Sequence, residues 1–146
     1  MSVNFKSQLL LTGGVIAGLA AVWHLLCILG GPAWFIFARA PSVIIASAQQ
    51  GTLLAPIGTI IVAALMFTCT IYALSGAGVI RKIPLLKSAL VTITILCLLR
   101  VVVVIPSLLY SSFTDTWQVI ATSVWLFVGI CFLLGSTSQF GVKVST

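Results

Sequence analysis

With 61% of its 146 residues hydrophobic and 5% charged, the chain is far too apolar for a soluble domain, in which about a quarter of residues carry charge. A mean hydropathy of +1.31 calls for a bilayer as solvent. The net charge of +6 comes from seven Lys and Arg against one acid, Asp115. These cations sit mostly at the ends of apolar runs and not on one basic face, which argues against a nucleic-acid partner.

In chain order, a short polar start with Lys6 leads into a first span, about Leu9 to Ile28. A charged start, an apolar core and the pair Ala20-Ala21 share features with a signal peptide. Leu26 before Cys27 departs from a lipoprotein box, and the stretch is expected to be a retained span. Within it Gly14 and Gly18 form GxxxG, and Ala21 extends the same face. Small residues at this spacing let membrane helices approach closely. His24 lies at the edge of that face at about 100° per residue, which predicts that it points into the bundle.

Gly30-Gly31-Pro32 ends the first span. Trp34, Phe35, Phe37 and Arg39 then suit the headgroup layer, where aromatic rings and snorkelling cations settle. Pro41 is placed to open a short helix over Ser42–Gln50, closed by Gly51 and lying in the interface or re-entering the membrane. The second span is predicted over about Leu53–Leu74, with Pro56 in its first turns. The third covers about Leu85–Ile105 and is expected to stop or kink at Pro106. Leu108–Asp115 reads as a polar turn. Asp115 with Gln118 reads as a capping box opening a fourth span, about Thr116 to Leu134.

The expected fold is therefore all-α: a single domain of four transmembrane helices in a bundle, with an amphipathic or re-entrant segment between spans one and two. If the N-terminus is cytoplasmic, Lys6, Arg81, Lys82, Lys87 and Lys143 all fall inside, and Arg39 alone among the loop cations falls outside. That asymmetry satisfies the positive-inside rule and predicts both termini in the cytoplasm. No internal repeat of the transporter kind is apparent. Cys27, Cys69, Cys97 and Cys131 fall one to each span without CxxC spacing, as small apolar packing residues do.

The residue that poses the functional question is Arg100, set inside VTITILCLLRVVVVIP (Val91 to Pro106). A guanidinium in hydrocarbon costs about 2.5–3.5 kcal/mol on insertion scales. It must snorkel to an interface, cap carbonyls freed by a helix break, or hold an anion. No acid lies within any span, so an anion would have to be Asp115, a bound carboxylate, a phosphate or a lipid headgroup. With the predicted topology His24 and Arg100 both fall in the outer half of the bilayer. One expected pocket there has Arg100 as anion anchor, His24 as hydrogen-bond or proton partner, and Trp23, Trp34 and Phe37 as apolar walls. Thr59 and Ser123 (or Thr122) have depths that let them join it. His24 has a simpler reading as a hydrogen-bonded packing residue.

Two ligands, His24 and Cys27, are too few for zinc. Neither a metal nor any other cofactor is expected. There is no Ser-His-Asp set, no paired carboxylates and no phosphate loop, so an enzyme is not expected. Two functions stay open: binding or translocation of a small anionic or amphipathic ligand, a lipid included, or a non-catalytic accessory, scaffold or immunity-type role. The second would dock onto a membrane protein or a second copy through the Gly14, Gly18 and Ala21 face. WHLLCILGGPAWF (Trp23 to Phe35), Ala40-Pro41 and Arg100 in span three together resemble a group of uncharacterised four-span bacterial inner-membrane proteins. That resemblance implies a bacterial inner membrane and a four-helix bundle, with no activity attached.

Overall fold

Runs of Leu, Ile, Val and Ala in hydrocarbon have no water to satisfy their backbone, so they close their hydrogen bonds within a helix. The computed structural model describes residues 4–110 and 116–140, and the side chains of all of these except 106–110. Every regular element among them is helical. The long helices are α1 (Phe5–Gly30), α4 (Leu54–Gly76), α5 (Leu86–Tyr110) and α6 (Thr116–Ser136). Each is long and apolar enough to cross a bilayer, for which about 20 residues suffice. The protein is an all-α, multi-pass membrane protein with four transmembrane helices.

Between α1 and α4 lie two short helices, α2 (Pro32–Phe37) and α3 (Ser42–Gln49). Gly31 turns the chain with φ 66°, a left-handed conformation that Gly adopts without a Cβ clash. Pro32 then opens α2, a helix for which the sequence gives no periodic signal over so few residues. Pro41 precedes α3, and Gly51, at φ 67°, follows it.

The stretch of α5 long and apolar enough to cross a membrane is Leu86–Ile105; the helix itself continues through Pro106 to Tyr110 and takes up the start of the expected turn. A ring at Pro106 removes one N–H and leaves the Val102 carbonyl without its usual partner. Membrane helices tolerate that loss where neighbouring groups re-satisfy the carbonyl. Asp115, the expected cap of the fourth span, lies outside the described residues.

The chain packs as two units. The first comprises residues 1–16 and 69–146, and the second residues 17–68. In the first, Leu10 of α1, Ala73 of α4, Leu90, Ile93 and Cys97 of α5, and Val128 and Phe132 of α6 form one core drawn from all four spans. Little hydrophobic force acts between helices in lipid, so close approach and interhelical hydrogen bonds hold them. Gly14 provides both: a Cβ there would stand 2.6 Å from that of Ala73. The approach lets Thr70 Oγ1 donate to the Gly14 carbonyl across 2.9 Å. Ser75 Oγ is buried, accepts from the Ile83 N–H at 3.1 Å and donates to the Arg81 carbonyl, which ties down the loop before α5.

The second unit has a smaller core of Cys27, Phe35 and Ala55, ringed by Trp23, Ile28, Ala38, Ala40, Ile44, Ile45 and Ala48. Its polar centre is Ser47. This buried hydroxyl lies 2.6 Å from Thr52 Oγ1 and accepts the Ala55 N–H at 2.8 Å. A serine on α3 thus satisfies a first-turn donor of α4, one that the helix itself leaves unpaired.

Candidate functional site

Arg100 stands on α5, whose buried face carries Leu90, Ile93, Cys97 and Val101. At 3.6 residues per turn, Arg100 falls on the flank of that face, one turn from Leu96 and Val103. Those neighbours are 59% and 67% exposed, and Arg100 is exposed as well. No described residue gives its guanidinium a hydrogen bond or an ion pair. The cation is therefore neither enclosed in a core nor neutralised by a described neighbour.

His24 presents the opposite case. It is half-buried on α1, and its Nδ1–H donates to the Ala20 carbonyl one turn back, at 2.7 Å. A carbonyl can only accept, so that bond places a proton on Nδ1. The simpler reading of a packing histidine with a local partner describes this geometry.

The expected apolar walls do meet. Trp23 of α1 lies 5.6 Å from Trp34 of α2 between ring centroids, tilted by 31°, and 6.1 Å from Phe37, edge to face. These are favourable aromatic separations. With Ala33 the three rings line an open cleft. Trp34 and Phe37 lie one helical turn apart on α2, so one short helix presents both to Trp23.

The other expected members are occupied locally. Thr59 is buried and donates to the Ala55 carbonyl at 2.7 Å, while exposed Ser123 donates to that of Val119 at 2.9 Å. Thr122, its neighbour on α6, is buried, and its hydroxyl has no hydrogen-bond partner among the described residues. His24, Trp23, Trp34, Phe37 and Thr59 belong to the second packed unit, whereas Arg100 and Ser123 belong to the first. Of the helix-packing residues, Gly14 and Ala21 are buried and Gly18 is half-buried. The Gly14 surface is filled by Ala73 and Thr70 of the same chain.

All four cysteines are free thiols. Cys27, Cys97 and Cys131 are buried, and Cys69 is half-buried. Among the described residues no three His, Cys, Asp or Glu converge as a metal site would require. The chain matches no protein-family model, no curated protein and no solved structure.

Proposed function

We propose that this protein binds a small anionic amphipath, with a membrane lipid as the best candidate, and that Arg100 is the anchor for its charged head. The observation that carries the reading is an exposed guanidinium inside an apolar span, without a counter-charge among the described residues. In hydrocarbon such a group is costly unless an anion or the interface receives it. Arginine suits a phosphate or carboxylate because its planar fork donates two parallel hydrogen bonds. The charge pattern favours both termini being cytoplasmic, and the resemblance carried by WHLLCILGGPAWF favours a bacterial inner membrane.

Native mass spectrometry of gently extracted protein tests the proposal. Wild type should retain an anionic lipid. Arg100→Ala should lose it roughly ten- to a hundredfold, as expected for a charge-assisted hydrogen bond. Arg100→Lys should recover it only in part. Equal retention in all three proteins would overturn the reading. Arg100-dependent recovery of an acidic membrane protein in place of lipid would favour the accessory role.

A further inference from the structure

A second cationic feature lies at the span ends of the first unit, away from anything Arg100 explains. There α4 closes at Gly76, α5 opens at Leu86, and α6 runs into a single 3₁₀ turn over Thr137–Gln139. The Gln139 side chain ties that turn to the end of α4, its Nε2 donating to the Gly76 carbonyl at 2.7 Å. Between them opens a cleft of about 420 Å³ lined by Lys82, Ile83, Leu85, Leu86, Lys87 and Gln139. It is a shallow depression, open to its surroundings.

We propose that this cleft is a headgroup site for an anionic phospholipid, with Lys82 and Lys87 receiving the phosphate. The inference is independent of the proposed role of Arg100. Four observations carry it. Both lysines are exposed and line the cleft, and no described residue pairs with either through a carboxylate. Lys87 is already held in place, its Nζ 5.5 Å above the Phe140 ring, a contact that orients an ammonium while leaving its N–H groups able to donate. The first turn of α5 contains no acid, so its free N–H groups and the helix dipole add to the same positive field. Beside Ser88 and Gln139 the rest of the lining is apolar, Ile83, Leu85 and Leu86, and Leu85 is 77% exposed.

A free anion would have no use for that apolar rim. A lipid would, because its glycerol and upper acyl carbons lie beside the phosphate. The location agrees, since the cleft sits level with the ends of three transmembrane helices, where headgroups lie. Each Lys or Arg near an anionic leaflet adds to such binding, and the effect weakens with salt.

The test places the full chain in nanodiscs of phosphatidylcholine with a minor fraction of phosphatidylglycerol and counts retained lipids by native mass spectrometry. Wild type should keep phosphatidylglycerol in preference to phosphatidylcholine. The Lys82→Ala/Lys87→Ala double variant should lose that excess about tenfold, while Lys82→Arg/Lys87→Arg keeps it. An Arg81→Ala control, changing a cation outside the cleft lining, should retain most of it. Arg100→Ala should leave this population intact, which separates it from the site proposed above. Millimolar glycerol phosphate should not displace the lipid, and displacement would mean a site for a soluble phosphate. Unchanged lipid selectivity in the double alanine variant, with its unfolding temperature preserved, would overturn the proposal. So would an equal loss in Arg81→Ala, which would indicate diffuse charge attraction.

Discussion

The helices α1 and α5 each carry one polar residue that an apolar span would not need, and they treat it differently. On α1 the His24 ring donates to a carbonyl of its own helix, and the Gly14 backbone receives a hydroxyl from α4. On α5 the Arg100 guanidinium finds no described partner at all. The His24 ring places its Nδ1–H within one turn. A guanidinium has five N–H groups and a charge, more than the carbonyls of one helix turn can satisfy. The comparison teaches that α1 spends its polar groups on holding the chain together, whereas α5 leaves its cation available to something outside the described chain.

The sharpest way to break the α1 side is Gly14→Leu. A side chain there would drive into Ala73 and force α1 from α4, with loss of the Thr70 bond. We expect a loss of at least about 3 kcal/mol, seen as a large fall in unfolding temperature in detergent. The matching change on α5, Arg100→Glu, should leave the unfolding temperature within a few degrees and abolish retention of the anionic lipid held at Arg100, with the lipid at Lys82 and Lys87 unaffected. If Arg100→Glu unfolded the protein instead, the cation would be structural and the contrast between the helices would fail.

Smaller changes refine the picture. His24→Phe should cost about 0.6 kcal/mol, as for one hydrogen bond within a membrane helix bundle, without altering lipid retention. A Phe variant that lost lipid binding would move His24 from packing to ligand contact. Thr122→Val should be neutral or stabilising by up to about 1 kcal/mol, since the hydroxyl it removes is buried and unpaired. Clear destabilisation would mean that this hydroxyl holds a group such as an ordered water.

Much of the fold is legible in sequence because long apolar runs bounded by Gly and Pro admit few other readings. Pro41 and Gly51 mark the ends of α3 for the same reason. Pro106 bounds the apolar stretch at Ile105 without ending the helix, because the cost of its ring is fixed by neighbours that a local reading does not contain. The buried hydroxyls of Ser47 and Ser75 are invisible in advance: each serves a backbone N–H eight residues away, at a spacing that matches no local capping pattern. The site is legible in part. Trp23, Trp34 and Phe37 belong together because Pro32 starts a turn of helix that aims two of them at the third. That Arg100 would lie exposed depends on which face of α5 the other spans cover. The unbroken Val and Ile run around it carries no such periodic mark.

The most direct test of the central claim places a photoreactive benzoylphenylalanine at Val103, one turn from Arg100 and 67% exposed, and irradiates the protein in membranes containing anionic phospholipid. The account predicts a dominant adduct with the mass of an anionic lipid, reduced at least tenfold when Arg100 is also changed to Ala. Adducts that match the bulk lipid composition with or without Arg100, or that join the chain to another protein, would contradict it.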